Sequence, residues 1–276
     1  MAKRAEPTCD TTILPGGEGI AVDILATKTQ LPKTRLKDAM NKGAVWLHRG
    51  NNRIRLRRAT MMLRPQDRII LYYDAEMLAR HTDPPVLVHD ARSYSIWNKP
   101  AGMLTQGTEY GDHCSLLRQV ELAFRMQRES YPLHRLDREA SGLIMVAHTR
   151  QAAAKLSDLF QKHQIEKTYR VTVRGLVGIV GSEGVINRPL DGKPAISHYR
   201  VESVDPAGTV SRLLVQIQTG RLHQIRRHCA DIGHPVMGDP KYGTGNKNTQ
   251  GLQLCAYSLA FRCPFSGQQV VFTLQE

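Results

Sequence analysis

Apolar and polar residues alternate along this chain in patterns that predict short strands and amphipathic helices. An unbroken apolar run at residues 143–147 follows a charged segment and is typical of a fully buried strand. Residues 152–160 place alanine, leucine and phenylalanine side chains on one helical face, and residues 166–173 alternate with a period of two. Residues 213–217 predict another strand, which a glycine turn joins to a helix with an apolar stripe. These elements predict one large domain of mixed helices and strands.

A smaller pattern occupies residues 20–80 and differs in charge. Residues 31–42 predict a basic helix that Gly43 ends, and strands follow on both sides of a tight turn. Residues 28–80 hold 13 Lys or Arg against 4 Asp or Glu. Because these cations recur on both the helix and the hairpin, they predict a phosphate-binding surface. The candidate RNA contacts in this unit are Arg35, Lys37, Lys42 and Arg49.

Polar and proline-rich stretches set the expected domain boundaries. Residues 1–19 are polar and contain a Pro-Gly-Gly step, which predicts a mobile tail. Residues 81–91 contain Asp83 followed by two prolines, so an extended linker is expected there. The larger domain is then expected to cover residues 92–276.

Composition narrows the class of protein. The chain has 276 residues, 41% hydrophobic and 23% charged, which is typical of a folded globular protein. Its net charge of +13 favours a polyanionic partner, either nucleic acid or an anionic membrane surface. No apolar stretch approaches the roughly 18 residues of a membrane span, and no secretory signal is expected at the N-terminus. The five scattered cysteines predict reduced thiols in a cytoplasmic protein.

Residues 133–147 carry the strongest candidate chemistry. They read Leu-His-Arg-Leu-Asp-Arg-Glu-Ala-Ser-Gly-Leu-Ile-Met-Val-Ala, so a charged loop precedes the buried strand. Asp137 lies between Arg135 and Arg138, whose positive charge favours an ionised carboxylate. Both a solvated loop carboxylate and a catalytic carboxylate are compatible with this pattern.

This stretch resembles the signature of the RluA-type pseudouridine synthases, in which the Asp of His-Arg-Leu-Asp is catalytic. Ala140 departs from that signature, which more often has Thr at this position. Three further blocks resemble the family, in the expected order: Asn98-Lys99-Pro100, Lys167-Thr168-Tyr169 and Gly220-Arg221-Leu222-His223-Gln224-Ile225-Arg226. The resemblance implies an α+β fold with a mixed, largely antiparallel central sheet flanked by helices and loops. Residues 20–80 also resemble, in outline, a small α/β RNA-binding module of a ribosomal small-subunit protein.

The resemblance implies roles for individual residues. Asp137 is expected to be catalytic, and Arg221 is expected to pair with it and keep it ionised. Tyr169 is expected to stack on the uracil or to relay a proton, and a bound water is an alternative for removing the proton from carbon 5. Arg135 is expected to fill the gap that a flipped base leaves. The expected contacts to the RNA in the larger domain are His134, Arg135, Lys99, Lys167 and Gln224.

The implied reaction converts uridine in structured RNA to pseudouridine without oxidation or hydrolysis, so no cofactor is expected. Two histidines, His223 and His228, are five residues apart, but no carboxylate or cysteine completes a ligand set, and no metal is expected. Ribosomal RNA is favoured over transfer RNA because of the added basic unit. The enzyme is expected to act as a monomer, without a membrane or an obligate protein partner.

Two other classes of protein are less compatible with this sequence. A retaining glycoside hydrolase needs two carboxylates about 5 Å apart, and only Glu139 is near Asp137 in the sequence. The strong positive charge and the few aromatic residues also disfavour a sugar-binding surface. A non-catalytic RNA-binding protein on the same scaffold would have no need of Asp137, Tyr169 and Arg221 together. The sequence therefore favours an isomerase, an RNA pseudouridine synthase.

Overall fold

The computed structural model describes residues 6–275 and divides the chain into two compact units. The first unit contains the chain up to Thr82 together with residues 106–119, and the second contains residues 83–105 and the chain from residue 120 onward. Residues 106–119 were expected in the larger domain, but they pack in the first unit. The small basic unit is thus larger than the continuous segment that the sequence predicted.

The first unit combines short strands and helices. Its elements are β1 (Cys9–Thr12), β2 (Gly19–Ile20), α1 (Ala21–Thr29), α2 (Lys33–Asn41), β3 (Val45–Arg49), β4 (Asn52–Arg55), β5 (Met62–Leu63), β6 (Arg68–Leu71) and α3 (Ala75–Leu78). The strands β1, β6, β3 and β4 form an antiparallel sheet in that order, and β2 pairs with β5. Leu25, Leu36, Met40 and Leu47 are buried in its core. The predicted basic helix corresponds to α2.

Two expectations about the chain's boundaries are wrong in part. Residues 9–12 were expected in a mobile tail, but they form β1 and pair with β6. Residues 1–5 of that tail lie outside the described residues. Residues 86–90 were expected in a linker, but they form an edge strand of the large sheet. The prolines before that strand are compatible with an edge position, where a backbone N–H has no partner strand to reach.

The second unit contains most of the regular structure. Its elements are β7 (Val86–Asp90), β8 (Tyr94–Lys99), β9 (Tyr131–Pro132), β10 (Ser141–Ala147), α5 (Arg150–Gln161), β11 (Ile165–Arg174), β12 (Glu183–Asn187), β13 (Ile196–Val204), β14 (Val210–Ile217), α6 (Gln224–Asp231), β15 (Leu254–Arg262) and β16 (Gln269–Thr273). The remaining helix, α4 (Leu116–Ala123), begins in residues of the first unit and ends in residues of the second.

The large sheet is mixed and mostly antiparallel, which confirms the predicted fold class. Eight strands follow the order β12-β13-β14-β11-β15-β10-β8-β7, with β16 on β15 and β9 on β10. The pair β10 and β15 is parallel, and the other described pairs are antiparallel. Helix α5 is capped by the Thr149 side chain, which accepts a hydrogen bond from the N–H of Ala152 at 3.1 Å.

A glycine at the start of β10 allows the close parallel approach to β15. Gly142 has φ +113°, and a Cβ added there would lie 2.4 Å from the backbone nitrogen and oxygen of Ala256. Only glycine fits such a conformation and distance. The close approach fixes the end of the charged loop at residues 133–140. None of the helices formed by residues 6–275 has the length and hydropathy that crossing a bilayer requires.

Candidate active site

A cavity of about 300 Å³ lies in the second unit at the mouth of β10. Its walls come from the charged loop, from β11 and from the segment that leads into α6. The polar and aromatic residues of the lining are Arg135, Asp137, Tyr169, Arg221, His223, Gln224 and Arg226. Leu136, Ala140, Ile217 and Leu254 are among the apolar ones. Polar groups that converge in a partly apolar cavity are typical of an active site.

Asp137 is held by a buried arginine of α6. Arg226 is only 2% exposed, and its Nη1 donates a hydrogen bond to Asp137 Oδ2 at 2.9 Å. The other side of the guanidinium is clamped by Asp239, with Nε donating to Oδ2 and Nη2 donating to Oδ1, both at 2.8 Å. Such two-point pairing fixes the plane of the guanidinium. Arg226 therefore presents one N–H to Asp137 in a fixed direction.

Arg226 and Asp239 each stabilise the charged form of the other. Burial tends to lower the pKa of Arg226, but hydrogen bonds to Asp239 and Asp137 outweigh that effect and raise it. Burial tends to raise the pKa of Asp239, but Arg226 and the backbone N–H groups of Lys241 and Tyr242 lower it overall. Both groups are therefore charged at neutral pH. A fully paired, buried charge of this kind stabilises the local geometry, whereas an unpaired one is very costly.

The expected ion pair between Asp137 and Arg221 is wrong, since Arg226 occupies that position. The Arg221 Nε donates to the backbone oxygen of Pro194 at 3.1 Å, although the side chain does line the cavity. The chain turns at His223, and α6 begins only at Gln224. Arg221 thus precedes the helix, and the arginine five residues later is the one directed at the carboxylate.

Tyr169 comes from β11 and is 9% exposed, with its ring lining the cavity. Burial, and then the negative charge of Asp137, raise the pKa of its hydroxyl far above the ordinary value. The phenol is therefore protonated at any physiological pH. The Tyr169 ring can therefore serve as an aromatic wall against which a planar nucleobase packs.

Lys99 was expected to contact RNA, but the structure buries it completely. Its Nζ donates to four backbone oxygens, those of Pro100 at 3.0 Å, Met103 at 2.9 Å, Arg138 at 3.3 Å and Ala140 at 2.6 Å. Burial lowers its pKa to about 8, against the opposing effect of nearby carboxylates. The ammonium thus ties the loop that follows Asp137 to the end of β8.

Two other residues that were expected to contact RNA are engaged within the protein. Gln224 is 3% exposed; its Oε1 accepts from Thr219 and its Nε2 donates to the backbone oxygen of Ile196. His134 accepts the N–H of Met145 at 3.0 Å, and burial lowers its pKa to about 3. Both residues hold the site's framework, and their side chains are not free to bind a phosphate.

Arg135 and Lys167 remain candidate RNA contacts. The Arg135 side chain lines the cavity, is exposed, and has no ion pair with any residue between 6 and 275. The Lys167 ammonium lies 5.9 Å from the centre of the Phe160 ring, and burial lowers its pKa. An exposed guanidinium at the cavity mouth suits contact with a nucleic acid.

The first unit holds the remaining expected RNA contacts. Arg35 and Lys37 on α2 are exposed, and neither forms an ion pair with another described residue. Lys42 pairs with Asp38 at 2.9 Å, and Arg49 pairs with Asp67 through two hydrogen bonds of 2.8 and 2.6 Å. Of these four cations, the two without an ion pair therefore lie on the helix.

The hairpin of the first unit is neutralised by residues 106–119. Arg55 and Arg57 both pair with Asp112, at 3.1 and 2.5 Å, and Arg53 pairs with Glu109. The guanidiniums of Arg53 and Arg55 also lie 4.0 and 4.2 Å from the centre of the Trp46 ring. These arginines contribute to packing in the unit, so the expected phosphate surface does not extend evenly over helix and hairpin.

Sequence reasoning missed Arg226, Asp239, His223 and Tyr242. The sequence did contain a signal for Arg226, which precedes the apolar stripe residue Cys229 by three positions and therefore shares its buried face. An arginine on a buried helical face requires a carboxylate partner. No local pattern indicates Asp239, because its pairing with Arg226 depends on how a loop returns to the helix.

Half of this chain matches a known protein family. Residues 93–231 match the sequence profile of the family described as RNA pseudouridylate synthase. A tRNA pseudouridine synthase C of Vibrio cholerae is 32% identical over 207 residues, which cover 63% of this chain and 84% of that protein. A ribosomal large subunit pseudouridine synthase D of Zymomonas mobilis is 35% identical over 162 residues, covering 51% of this chain and 50% of that protein.

The fold is also similar to a solved structure. The human RNA pseudouridylate synthase domain containing 1 superposes with a TM-score of 0.56 at 23% identity, covering 70% of this chain and 83% of that one. At this level of identity the similarity concerns the fold alone. It agrees with the mixed sheet and flanking helices of the second unit.

Proposed function

Given that the chain belongs to the RNA pseudouridylate synthase family, we propose that the cavity around Asp137 is where it converts uridine in RNA to pseudouridine. As a member of that family it is an RNA pseudouridine synthase, an isomerase. One observation supports the choice of this cavity as the active site. Asp137 is a partly exposed carboxylate in the cavity, and a buried, doubly clamped arginine fixes its position.

Asp137 supplies the carboxylate that acts on the ribose. Its side chain is 21% exposed, so one oxygen can reach a substrate while Arg226 holds the other. A carboxylate is a suitable group for either attacking the sugar or removing a sugar proton. The reaction breaks a carbon–nitrogen bond and forms a carbon–carbon bond within one nucleotide. Nothing is oxidised, reduced or hydrolysed, so the residues of the cavity suffice without a cofactor.

The target base must leave its stack to enter a cavity of this size. Flipping a base costs a few kcal/mol, and contacts in the pocket offset that cost. The Tyr169 ring provides an aromatic wall for the uracil. Arg135 lies at the exposed rim, where its planar head is able to stack in the gap that the base leaves.

The first unit anchors the RNA through its phosphates. Support comes from the exposed, unpaired cations Arg35 and Lys37 on α2. Residues 20–80, together with residues 106–119, therefore serve as an RNA-binding module in addition to the synthase domain. An added anchoring module suits a large, folded substrate, so ribosomal RNA is the proposed substrate class. Transfer RNA is the alternative to be tested.

Tritium release tests the proposed reaction and its residue together. RNA labelled at uracil carbon 5, from cells that lack this gene, is incubated with the wild-type protein and with Asp137→Asn. Ribosomal and transfer RNA are tested as separate pools. We expect release from ribosomal RNA by the wild type and none by the variant, because only the carboxylate is changed.

Binding of the same RNA is measured in parallel as a control for folding. Equal binding by both proteins shows that the loss of release is chemical. Release by Asp137→Asn at the wild-type rate would contradict the assignment of Asp137. Release from transfer RNA alone would contradict the substrate class but leave the site intact. Tight binding without release from either pool would favour a non-catalytic RNA-binding protein.

A further inference from the structure

The proposed reaction leaves one proton without an acceptor. When uracil rejoins the ribose through carbon 5, that carbon carries both the sugar and its original hydrogen. The hydrogen must leave as a proton before the ring regains its double bond. Carbon 5 is then bonded to the ribose on which Asp137 acts, so a base for this step must lie within a few ångströms of the Asp137 carboxylate.

His223 lies at that distance. Its Nε2 is 3.8 Å from Asp137 Oδ1, on the side of the carboxylate that Arg226 does not hold. Its Nδ1 lies 3.0 Å from the hydroxyl of Tyr242, and the side chain is 20% exposed in the cavity. A hydrogen bond to Tyr242 thus holds Nδ1 of the imidazole, and Nε2 is open to the cavity.

The backbone of His223 is unusual as well. It has φ +52° and ψ +33°, the left-handed conformation, directly before α6 begins. For a residue other than glycine this conformation is strained, and it is often found at functional sites. A glycine would relieve the strain, yet the chain has a histidine here. The strained turn directs the imidazole at Asp137.

The other polar residues of the cavity are unsuited to accept a proton. Arg135, Arg221 and Arg226 are cations, and the Gln224 amide is committed to hydrogen bonds in the framework. The Tyr169 phenol is protonated because its pKa is raised by burial. Among the described residues that line the cavity, this leaves Asp137 itself and His223.

We propose that His223, held by Tyr242, is the general base that removes the carbon 5 proton after the new bond to the ribose has formed. This inference rests on the proposed function of Asp137. In the tautomer that serves as base, Nδ1–H donates to the Tyr242 hydroxyl and Nε2 presents its lone pair to the substrate. Histidine is the side chain most often used for such a transfer.

The step balances without a further reactant. Nε2 takes the proton, the electron pair of the C5–H bond forms the C5–C6 double bond, and the pair of the C6–N1 double bond moves to N1. N1 then takes a proton from the imidazolium, directly or relayed through water, which restores the neutral imidazole. The original carbon 5 hydrogen reaches an exchangeable position, so tritium from carbon 5 appears in water.

The charges around His223 suit this cycle. Burial lowers its pKa, the carboxylates of Asp137 and Asp239 oppose that effect, and Arg226 and Lys241 add to it. The net lowering keeps the imidazole neutral, and therefore basic, at neutral pH. Asp137 is close enough to stabilise the imidazolium once it has formed. The rate is then expected to fall in acid, as His223 becomes protonated below its ordinary pKa of 6.5.

His223→Gly tests this role, because glycine readily adopts the left-handed backbone at this position. Single-turnover rates are measured on RNA with hydrogen or deuterium at uracil carbon 5. We expect the variant to be about 10²- to 10⁴-fold slower, the usual range for a general base. A deuterium isotope effect larger than that of the wild type should appear, and added imidazole should restore part of the rate. The acid limb of the pH profile should disappear without imidazole.

His228→Asn is the matched control. His228 lies on α6, five residues after His223, but its ring is buried and hydrogen-bonded to Ser197 and to the backbone oxygen of Arg188. Any loss in this variant should come without a new isotope effect and without imidazole rescue. Tyr242→Phe, which keeps the histidine, should be slowed less than His223→Gly.

The proposal is overturned if His223→Gly keeps the wild-type rate. It is also overturned if the variant is slow but shows no increased isotope effect, no rescue and an unchanged acid limb, because those results describe a residue that only shapes the site. The failure of the proposed function is separate: it is tritium release by Asp137→Asn, whatever His223→Gly does.

Discussion

The protein uses its cations in two contrasting ways. In the second unit Arg226 is 2% exposed and makes three hydrogen bonds to two carboxylates, Asp137 and Asp239. In the first unit Arg35 and Lys37 are exposed on α2 and make no ion pair within the described chain. The buried arginine fixes one carboxylate in place, whereas the exposed pair is the proposed contact to phosphates.

Net charge is therefore a poor guide to function until the burial of each charged side chain is known. Several cations that were expected to contact RNA are ion-paired or buried, among them Lys42, Arg49 and Lys99. A buried charge is retained because its partners compensate its desolvation, and removing a partner is therefore expensive. An exposed charge is weakly coupled to the fold, and its effects should depend on salt.

Removing the buried guanidinium should have the largest effect. Arg226→Gln leaves Asp239 buried beside only backbone donors, and breaking a buried pair typically costs about 3–5 kcal/mol. We expect a loss of that size in the free energy of unfolding, measured with a chemical denaturant. Arg221→Gln is the matched control and should change stability by less than about 1 kcal/mol. Equal losses in both variants would contradict the structural difference between them.

Alkaline titration of Lys99 should have the next largest effect. Its pKa is lowered from 10.5 to about 8 by burial, so between these values the unfolded chain binds more protons than the folded one. The free energy of unfolding should therefore gain up to about 3 kcal/mol from this residue as pH rises through that window. Lys99→Met should lose this gain, measured as the difference between the two proteins at each pH. Parallel stability curves for the two proteins would show that Lys99 has an ordinary pKa.

Removing the exposed cations should have the smallest effect, and only on RNA binding. Arg35→Ala with Lys37→Ala should weaken binding without changing stability, and each lost phosphate contact should reduce the slope of log affinity against log salt by about 0.9. Arg49→Ala with Lys42→Ala is the control, since both of these cations are already paired with carboxylates. A slope that changes only in the control pair would place the RNA surface at Lys42 and Arg49.

The sequence was sufficient for elements whose pattern is local. The basic helix, the buried strand at Ser141–Ala147 and the alternating strand at Ile165–Arg174 all follow from the spacing of apolar residues. The motif around Asp137 indicated the carboxylate because its neighbours in the sequence are also its neighbours in the loop.

The features that the sequence did not predict depend on contacts between distant parts of the chain. Arg226 and Asp239 are separated by a turn, and neither side chain indicates by itself that the other is its partner. The start of α6 at Gln224 decides which arginine faces the cavity, and element boundaries are poorly determined by sequence. Residues 106–119 pack away from their neighbours in sequence, which no local pattern indicates.

We propose that Asp137 acts from a position fixed by Arg226 and not by Arg221. Single-turnover isomerisation by Arg226→Lys and Arg221→Lys, measured on one RNA under saturating enzyme, distinguishes the roles of the two arginines. Lysine keeps the charge but cannot bridge Asp137 and Asp239 in two-point geometry. We predict that Arg226→Lys is slower by about 10²-fold or more, on the scale of losing one preorganised donor, while Arg221→Lys stays within about tenfold of the wild type. A larger loss in Arg221→Lys than in Arg226→Lys would contradict the account.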